Sequence, residues 1–235
     1  MKRLVGSLLV LASIQTFVHA NSKKIVNKPV QNIRYYSEFG QDKFLNEQIF
    51  KNKKNGVFFD IGAYDGVFAS NSYFFEKALG WTGICVEPLD EFYRKLTQDR
   101  KCVCIHGAIA ATSCEREFVK VSEKKPTFSG FLSTIEPQHW PRIVSEGKEW
   151  QVIKVKTFTF NELCKLHEIK HVDYLSIDTE GSEEEIIRSI DFENIDISIV
   201  DVENNFGNTT MRKYLESKGY RFINRLGMDD VYIKS

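Results

Sequence analysis

Residues 56–66 read Gly-Val-Phe-Phe-Asp-Ile-Gly-Ala-Tyr-Asp-Gly. The run from Val57 to Ile61 is short, apolar and rich in β-branched and aromatic residues, with no alternation of polar and apolar positions. That pattern is typical of a strand buried on both faces, as in a parallel sheet. Gly62 and Gly66 follow directly, and two glycines so close together predict a tight loop.

A helix and a second strand are predicted after this loop. Residues 70–79 place Phe74, Phe75 and Leu79 on one stripe, as an amphipathic helix does. Residues 84–86 are apolar again and are followed by Glu87. The segment therefore predicts a strand, a glycine loop, a helix, and a second strand that ends on an acid.

The order of these elements points to a nucleoside ligand. Glycines let the backbone approach a ligand, a helix start offers free N–H groups, and an acid after the second strand can accept both hydroxyls of a ribose. The loop reads Asp-x-Gly-x-x-x-Gly over residues 60–66, which differs from the Gly-x-Gly-x-x-Gly of dinucleotide sites. Asp60 disfavours a pyrophosphate and favours a ligand with a cationic amino-acid part.

Residues 172–181 are a second segment dense in chemical groups. An apolar strand there ends on Asp178, Glu180 and Gly181, and ligands of open α/β sheets bind at such strand ends. The chain closes with two strand patterns around residues 227–230, which predict an antiparallel hairpin. The alternation of strands and helices predicts an α/β fold, a doubly wound and mostly parallel seven-stranded sheet with this terminal hairpin. The hairpin and the glycine spacing argue against an NAD-dependent oxidoreductase.

Composition sets the broad class of the protein. The 235 residues suit one domain with a sizeable core, and hydrophobic residues make up 42% of them. Lys and Arg number 32 and Asp and Glu also number 32. The chain therefore lacks the excess of basic residues that would indicate a nucleic-acid partner. The five cysteines are an odd number, and Cys102 and Cys104 alternate on one predicted strand over residues 102–109. We interpret them as buried thiols.

The amino end has the layout of a targeting segment. Lys2 and Arg3 precede an apolar run over residues 4–18, and Ala20 is a small residue suited to cleavage. We expect a signal peptide over residues 1–20, a polar linker over 21–32 and the folded domain over 33–235. Polar residues interrupt the apolar run, so we expect no stable membrane span, although an uncleaved signal anchor remains an alternative. The expected localisation is the secretory route: periplasm, secretory lumen or outside the cell.

Residues 124–147 form a long irregular segment rich in Pro, Ser and Gly. Such a segment in a compact domain usually serves as a lid or a binding loop. The segment contains His139, which is therefore a candidate residue of the ligand-binding site.

Taken together, these residues resemble the FkbM-type methyltransferases, a family of the class I S-adenosylmethionine-dependent superfamily. Its Ser-Ile-Asp-Thr-Glu-Gly motif stands here at 176–181, and the superfamily's Asp-x-Gly-x-x-x-Gly motif at 60–66. Tyr64 departs from the Asn of many relatives. The matching blocks are 37–42, 59–66, 70–72, 80–81, 83–88, 108–109, 129–133, 173–181, 202–204 and 229–233.

The resemblance implies methyl transfer from S-adenosylmethionine to a hydroxyl of a small-molecule or glycan acceptor. It implies that the glycine loop wraps the methionine part of the donor and that Glu87 binds the ribose. The implied cofactor-binding residues are Gln41, Asp60, Gly62, Ala63, Tyr64, Asp65, Gly66, Asn71, Glu87, Pro88, Gly107, Ala108 and Asp178.

A hydroxyl acceptor needs a base, and Asp178, Glu180 and His139 are the candidates. Asp178, Glu203 and Asn204 also offer oxygen ligands for Mg²⁺, an option that the sequence does not support further. The alternative to an enzyme is a non-catalytic module of the secretory pathway that keeps the methyltransferase fold. The signal segment favours that alternative, because the donor is made in the cytosol, whereas the intact Gly62, Gly66 and Glu87 argue against it.

Overall fold

A computed structural model of the chain describes residues 34–122, 125–135 and 137–235. The predicted signal peptide and linker lie outside these residues. The strands are β1 (Val57–Ile61), β2 (Thr82–Glu87), β3 (Val103–His106), β4 (Ala108–Ile109), β5 (Glu115–Val121), β6 (Gly130–Phe131), β7 (Trp150–Phe158), β8 (His171–Ile177), β9 (Asp196–Glu203), β10 (Tyr220–Leu226) and β11 (Asp229–Lys234). The helices are α1 (Gln41–Phe44), which continues as π-helix over Leu45–Phe50, α2 (Tyr73–Leu79), α3 (Asp90–Asp99), α4 (Trp140–Arg142), which continues as π-helix over Ile143–Gly147, α5 (Phe160–Leu166), α6 (Glu183–Ser189) and α7 (Thr209–Ser217), and a 3₁₀ turn spans Pro126–Phe128.

The main sheet has seven strands in the order β10-β11-β9-β8-β1-β2-β3. Neighbours from β9 to β3 pair in parallel, while β11 is antiparallel to both β9 and β10. This is the predicted α/β sheet, with one antiparallel strand supplied by the terminal hairpin.

Strand β1 lies inside the sheet, between β8 and β2, and is buried on both faces. Because side chains alternate along a strand, Phe58 and Phe59 point to opposite faces. Phe58 packs with Phe75 and Trp81, whereas Phe59 packs with Phe160 on the other side. The apolar run that predicted a buried strand therefore supplies both layers of the core.

A second sheet, not predicted from the sequence, has four strands in the order β4-β7-β5-β6. The predicted strand over residues 102–109 is divided between the two sheets at Gly107, so that prediction was wrong at this residue. The Gly107 N–H still bonds the Glu87 carbonyl at 3.1 Å, but a Cβ at this position would lie 2.7 Å from the Lys156 carbonyl oxygen of β7. The chain changes sheets here, and only glycine fits.

Strand register positions the site. Ile61 pairs with Val86 on one side and with Ile177 on the other, and Ile177 in turn pairs with Val202. The residues that follow these four positions therefore meet along one edge of the sheet. No helix within the described residues has the length and apolar content needed to cross a membrane.

Candidate active site

A cleft of about 380 Å³ opens at the carboxyl ends of the parallel strands. Its size lies in the usual range of small-molecule sites. Most of the predicted site residues line it: Gln41, Asp60, Gly62, Ala63, Tyr64, Asn71, Glu87, Pro88, Ala108, Asp178 and Glu180. The opposite wall comes largely from the second sheet and the segment beside it, with Phe118, Lys125, Phe128 and Phe131.

The glycine loop packs directly on the backbone of Asp178, the residue that follows β8. Gly62 has φ +85°, and a Cβ there would lie 1.8 Å from the Asp178 carbonyl oxygen. The N–H groups of Gly62 and Ala63 both donate to the Val86 carbonyl at 3.1 Å. The loop is therefore fixed against both neighbours of β1.

Glu87 spans the gap between this loop and the next helix. Its Oε2 accepts a hydrogen bond from the Tyr64 N–H at 3.0 Å, and its Oε1 accepts one from the Leu89 N–H at 2.8 Å. Burial raises the pKa of Glu87 to about 8, although these two backbone donors lower it in part. Each carboxylate oxygen keeps a further lone pair for a ligand hydroxyl.

Asp60 lies beneath the loop and is held by a buried cation. Ser72 donates its hydroxyl to Asp60, and Arg100 donates to the same hydroxyl at 2.9 Å. Burial raises the pKa of Asp60, and the Arg100 charge lowers it in part. Gln41 similarly donates to Asp229 at 2.6 Å, and both side chains line the cleft.

Three carboxylates stand together at the carboxyl ends of β8 and β9. One ligand oxygen from each of Asp178, Glu180 and Glu203 lies within 4.8 Å of the others. Asp178 is exposed to the cleft, and desolvation by the surrounding protein, followed by the charge of Asp229, raises its pKa. Burial and the charge of Asp178 likewise raise the pKa values of Glu180 and Glu203. We call these three residues the acid cluster.

The acid cluster is held by an ordered loop. Glu183, at the start of α6, accepts hydrogen bonds from the backbone N–H groups of Thr179 and Gly181 at 2.9 and 3.1 Å. Glu180 itself adopts φ +57°, an unfavourable conformation for a residue with a side chain. Its strained backbone is supported by this capping.

Four predicted site residues do not line the cleft. Asp65 accepts hydrogen bonds from the N–H groups that follow it, at 2.9 and 2.8 Å, as a turn-forming Asp does. Gly66 packs against side chains of α3, and Gly107 lies behind β7. His139 is buried in an adjacent smaller pocket with Glu180, and its Nε2 lies 3.6 Å from the Glu180 Oε2.

Asn204 does not belong to the acid cluster, contrary to the Mg²⁺ site considered from sequence. Its side chain donates to Asp230 at 2.7 Å and accepts from the Asn208 N–H at 2.6 Å, so both of its polar ends are used within the fold. Glu180, and not Asn204, is the third member of the acid cluster beside Asp178 and Glu203. Asp229, which also lines the cleft, was not predicted as a site residue. It pairs with Glu203 across β9 and β11. Its only signal in the sequence is the family-matching block 229–233.

No curated protein sequence matches the chain significantly. A precorrin-6Y C5,15-methyltransferase from Geobacter metallireducens GS-15 is similar in structure, with 12% identity, a TM-score of 0.41, and 83% of this chain and 87% of that chain covered. A methyltransferase from Pyrococcus furiosus is similar at 11% identity and a TM-score of 0.38, covering 86% and 88% of the two chains. The methyltransferase FkbM domain model matches residues 60–222, which is most of the chain, and the protein therefore belongs to the FkbM methyltransferase domain family.

Proposed function

We propose that the protein transfers a methyl group from S-adenosylmethionine to a hydroxyl of a small-molecule or glycan acceptor. The observation that carries the proposal is the arrangement of Gly62, Glu87 and Asp178 along one edge of the sheet, around one cleft. Membership of a methyltransferase family supports the reaction class.

The cleft has the features that this donor requires. Glu87 would accept the ribose hydroxyls, because its two backbone hydrogen bonds leave lone pairs directed elsewhere. The backbone at Gly62 and Ala63 would lie against the methionine part, with Asp60 beneath it. When bound, S-adenosylmethionine supplies an electrophilic methyl group on a cationic sulfur.

The acid cluster suits the reacting end of the cleft. A cluster of carboxylates attracts positive charge, and an acceptor hydroxyl must lose a proton during methylation. Of the three base candidates, Asp178 and Glu180 line the cleft, whereas His139 lies behind Glu180. We therefore propose that a carboxyl group, and not the imidazole, faces the acceptor.

Calorimetric titration of the purified protein with S-adenosylmethionine tests the proposal. Glu87→Gln keeps the shape of the side chain but replaces one accepting oxygen by a donor, so it should weaken donor binding by on the order of 2 kcal/mol. Glu91→Gln is the matched control, because Glu91 pairs with Lys120 outside the cleft and should leave donor affinity unchanged.

Two outcomes would count against the proposal. Equal donor affinity in Glu87→Gln and the parent would remove Glu87 from the donor site. Absence of any donor binding by the folded parent protein would favour the non-catalytic module of the secretory pathway.

A further inference from the structure

We propose that Asp178, Glu180 and Glu203 bind a hard divalent cation, and that His139 positions Glu180 for this role. The site does not depend on the donor, but the use of the cation in methyl transfer rests on the function proposed above.

The spacing of the acid cluster matches that of ligands around one cation. Its three oxygens lie within 4.8 Å of one another. Oxygens on opposite sides of Ca²⁺ stand about 4.6–5.2 Å apart, and those around Mg²⁺ stand at most about 4.2 Å apart. The cluster thus accommodates the larger ion as it stands and the smaller one after small side-chain rotations.

Among the described residues, no Lys or Arg forms a direct ion pair with the acid cluster, and the Arg142 charge acts on Glu180 only from a greater distance. Within the described residues, His139 is the only basic side chain within 4.0 Å of any of the three carboxylates. Carboxylates this close together, in the wall of a cleft and without a cationic partner, are expected to be paired or to bind metal.

Two nearby acids differ from the acid cluster because they have partners within the fold. Asp60 is held through Ser72 by Arg100, and Glu183 accepts backbone hydrogen bonds. The cleft as a whole is lined by seven carboxyl side chains and two basic ones.

His139 provides an independent sign of a missing ligand. Its side chain is 2% exposed, and its Nε2 has no hydrogen-bond partner in the described part of the chain. The Glu180 Oε2 is also buried without a partner there, and the two atoms face each other at 3.6 Å. Phe128 fixes the imidazole edge-on, with ring centroids 5.4 Å apart.

A bound cation would explain this pair of atoms. Carboxylates that bind metal are usually hydrogen bonded by an outer partner, which orients them. With its proton on Nε2, His139 can donate to the outer oxygen of Glu180 while the other oxygen of Glu180 faces the cation. The ligands would then all be carboxylate oxygens, which favours Mg²⁺, Mn²⁺ or Ca²⁺ over softer metals. Positions not filled by protein would remain for water or an acceptor oxygen, whose proton the cation would make easier to remove.

Titration of the full chain with Mn²⁺ tests the site without any donor, because the electron paramagnetic resonance signal of free Mn²⁺ falls as the ion binds. The parent should bind with a dissociation constant below about 1 mM, and Glu203→Gln should weaken binding at least about tenfold. His139→Gln, which affects an outer partner, should weaken it by about tenfold. Glu38→Gln is the matched control, since it removes a charge from the cleft wall outside the acid cluster and should change affinity less than about twofold.

Thermal melts check that the variants fold. In EDTA, Glu203→Gln should melt no lower than the parent, because it removes like-charge repulsion. Mn²⁺ should raise the melting temperatures of the parent and of Glu38→Gln more than that of Glu203→Gln. Should that variant fail to fold, Glu180→Gln serves the same purpose.

The site is overturned if the parent binds no Mn²⁺ below about 1 mM, or if Glu203→Gln binds as tightly as Glu38→Gln. A parallel donor titration in EDTA separates the two proposals. Donor binding without Mn²⁺ binding overturns the cation site alone, whereas Mn²⁺ binding without donor binding overturns only the proposed function.

Discussion

Replacing Gly62 by alanine is the sharpest test of how the cleft is built. Gly62 has φ +85°, and the added Cβ would lie 1.8 Å from the carbonyl oxygen of Asp178 and 2.9 Å from its carbonyl carbon. Neither atom belongs to a flexible side chain. Asp178 is held in place by its own N–H, which donates to the Ile61 carbonyl at 3.0 Å, so the clash falls between two strands of the main sheet.

The expected cost has three contributions. An alanine in the left-handed region costs about 1–2 kcal/mol. Forcing the strands apart adds about 1–3 kcal/mol, as overpacking does elsewhere. Weakening the hydrogen bond between Asp178 and Ile61 adds about 1 kcal/mol. We therefore expect Gly62→Ala to lower the free energy of unfolding by roughly 3–6 kcal/mol.

Gly219 offers a matched control. It has φ +87°, almost the same as Gly62, but no atom lies within 4 Å of the position its Cβ would take. Gly219→Ala should therefore show only the conformational cost of about 1–2 kcal/mol. Urea unfolding followed by circular dichroism measures both variants. If the losses of unfolding free energy in the two variants differ by less than about 0.5 kcal/mol, the glycine loop is not closely packed on the backbone of Asp178.

Two further perturbations test ion pairs that stabilise the fold. The Arg100 side chain is fully buried and forms an ion pair with Glu76 at 2.9 Å. Arg100→Met leaves the Glu76 carboxylate without its partner, so it should lower the free energy of unfolding by about 3–5 kcal/mol in urea unfolding. A loss under about 1 kcal/mol would show that the fold does not need this ion pair. Burial lowers the pKa of His171, but its hydrogen bonds to Asp173 and Asp196 outweigh burial and leave the pKa raised. Because the folded pKa exceeds the unfolded one, the charged ring stabilises the fold below about pH 6.5, and this contribution is lost as pH rises through the folded pKa. His171→Asn should therefore lower the melting temperature more at pH 5.5 than at pH 8.5, whereas an equal or reversed effect would contradict the ion pairing.

The sequence was informative wherever a signal is local. The run around Phe58 and Phe59 predicts a buried strand because periodicity over a few residues determines it. The positions of Gly62 and Glu87 follow from the same short unit. Asp178 could be placed at the same edge because parallel strands align their carboxyl ends.

Features that depend on pairing between distant segments were not predictable in this way. The second sheet brings β5 against β7 across the irregular segment, and no pattern within either strand specifies the partner. Glu203 joins Asp178 through the register of β8 and β9, whereas Asn204, one residue later, turns to Asp230. Asp65 is an exception, because the propensity of Asp to bond its own following backbone could have identified it as a turn former.

The change of sheet at Gly107 divides the molecule into a fixed part and an exchangeable part. Every cleft residue from 108 to 142 belongs to the segment that follows this glycine, and Gly62, Glu87 and Asp178 lie outside it. Substitutions within this segment can reshape one wall of the cleft while the strand register of the main sheet stays intact. Residues 108–158 are therefore the unit to exchange when one wall of the cleft is to be altered and the other is to be kept.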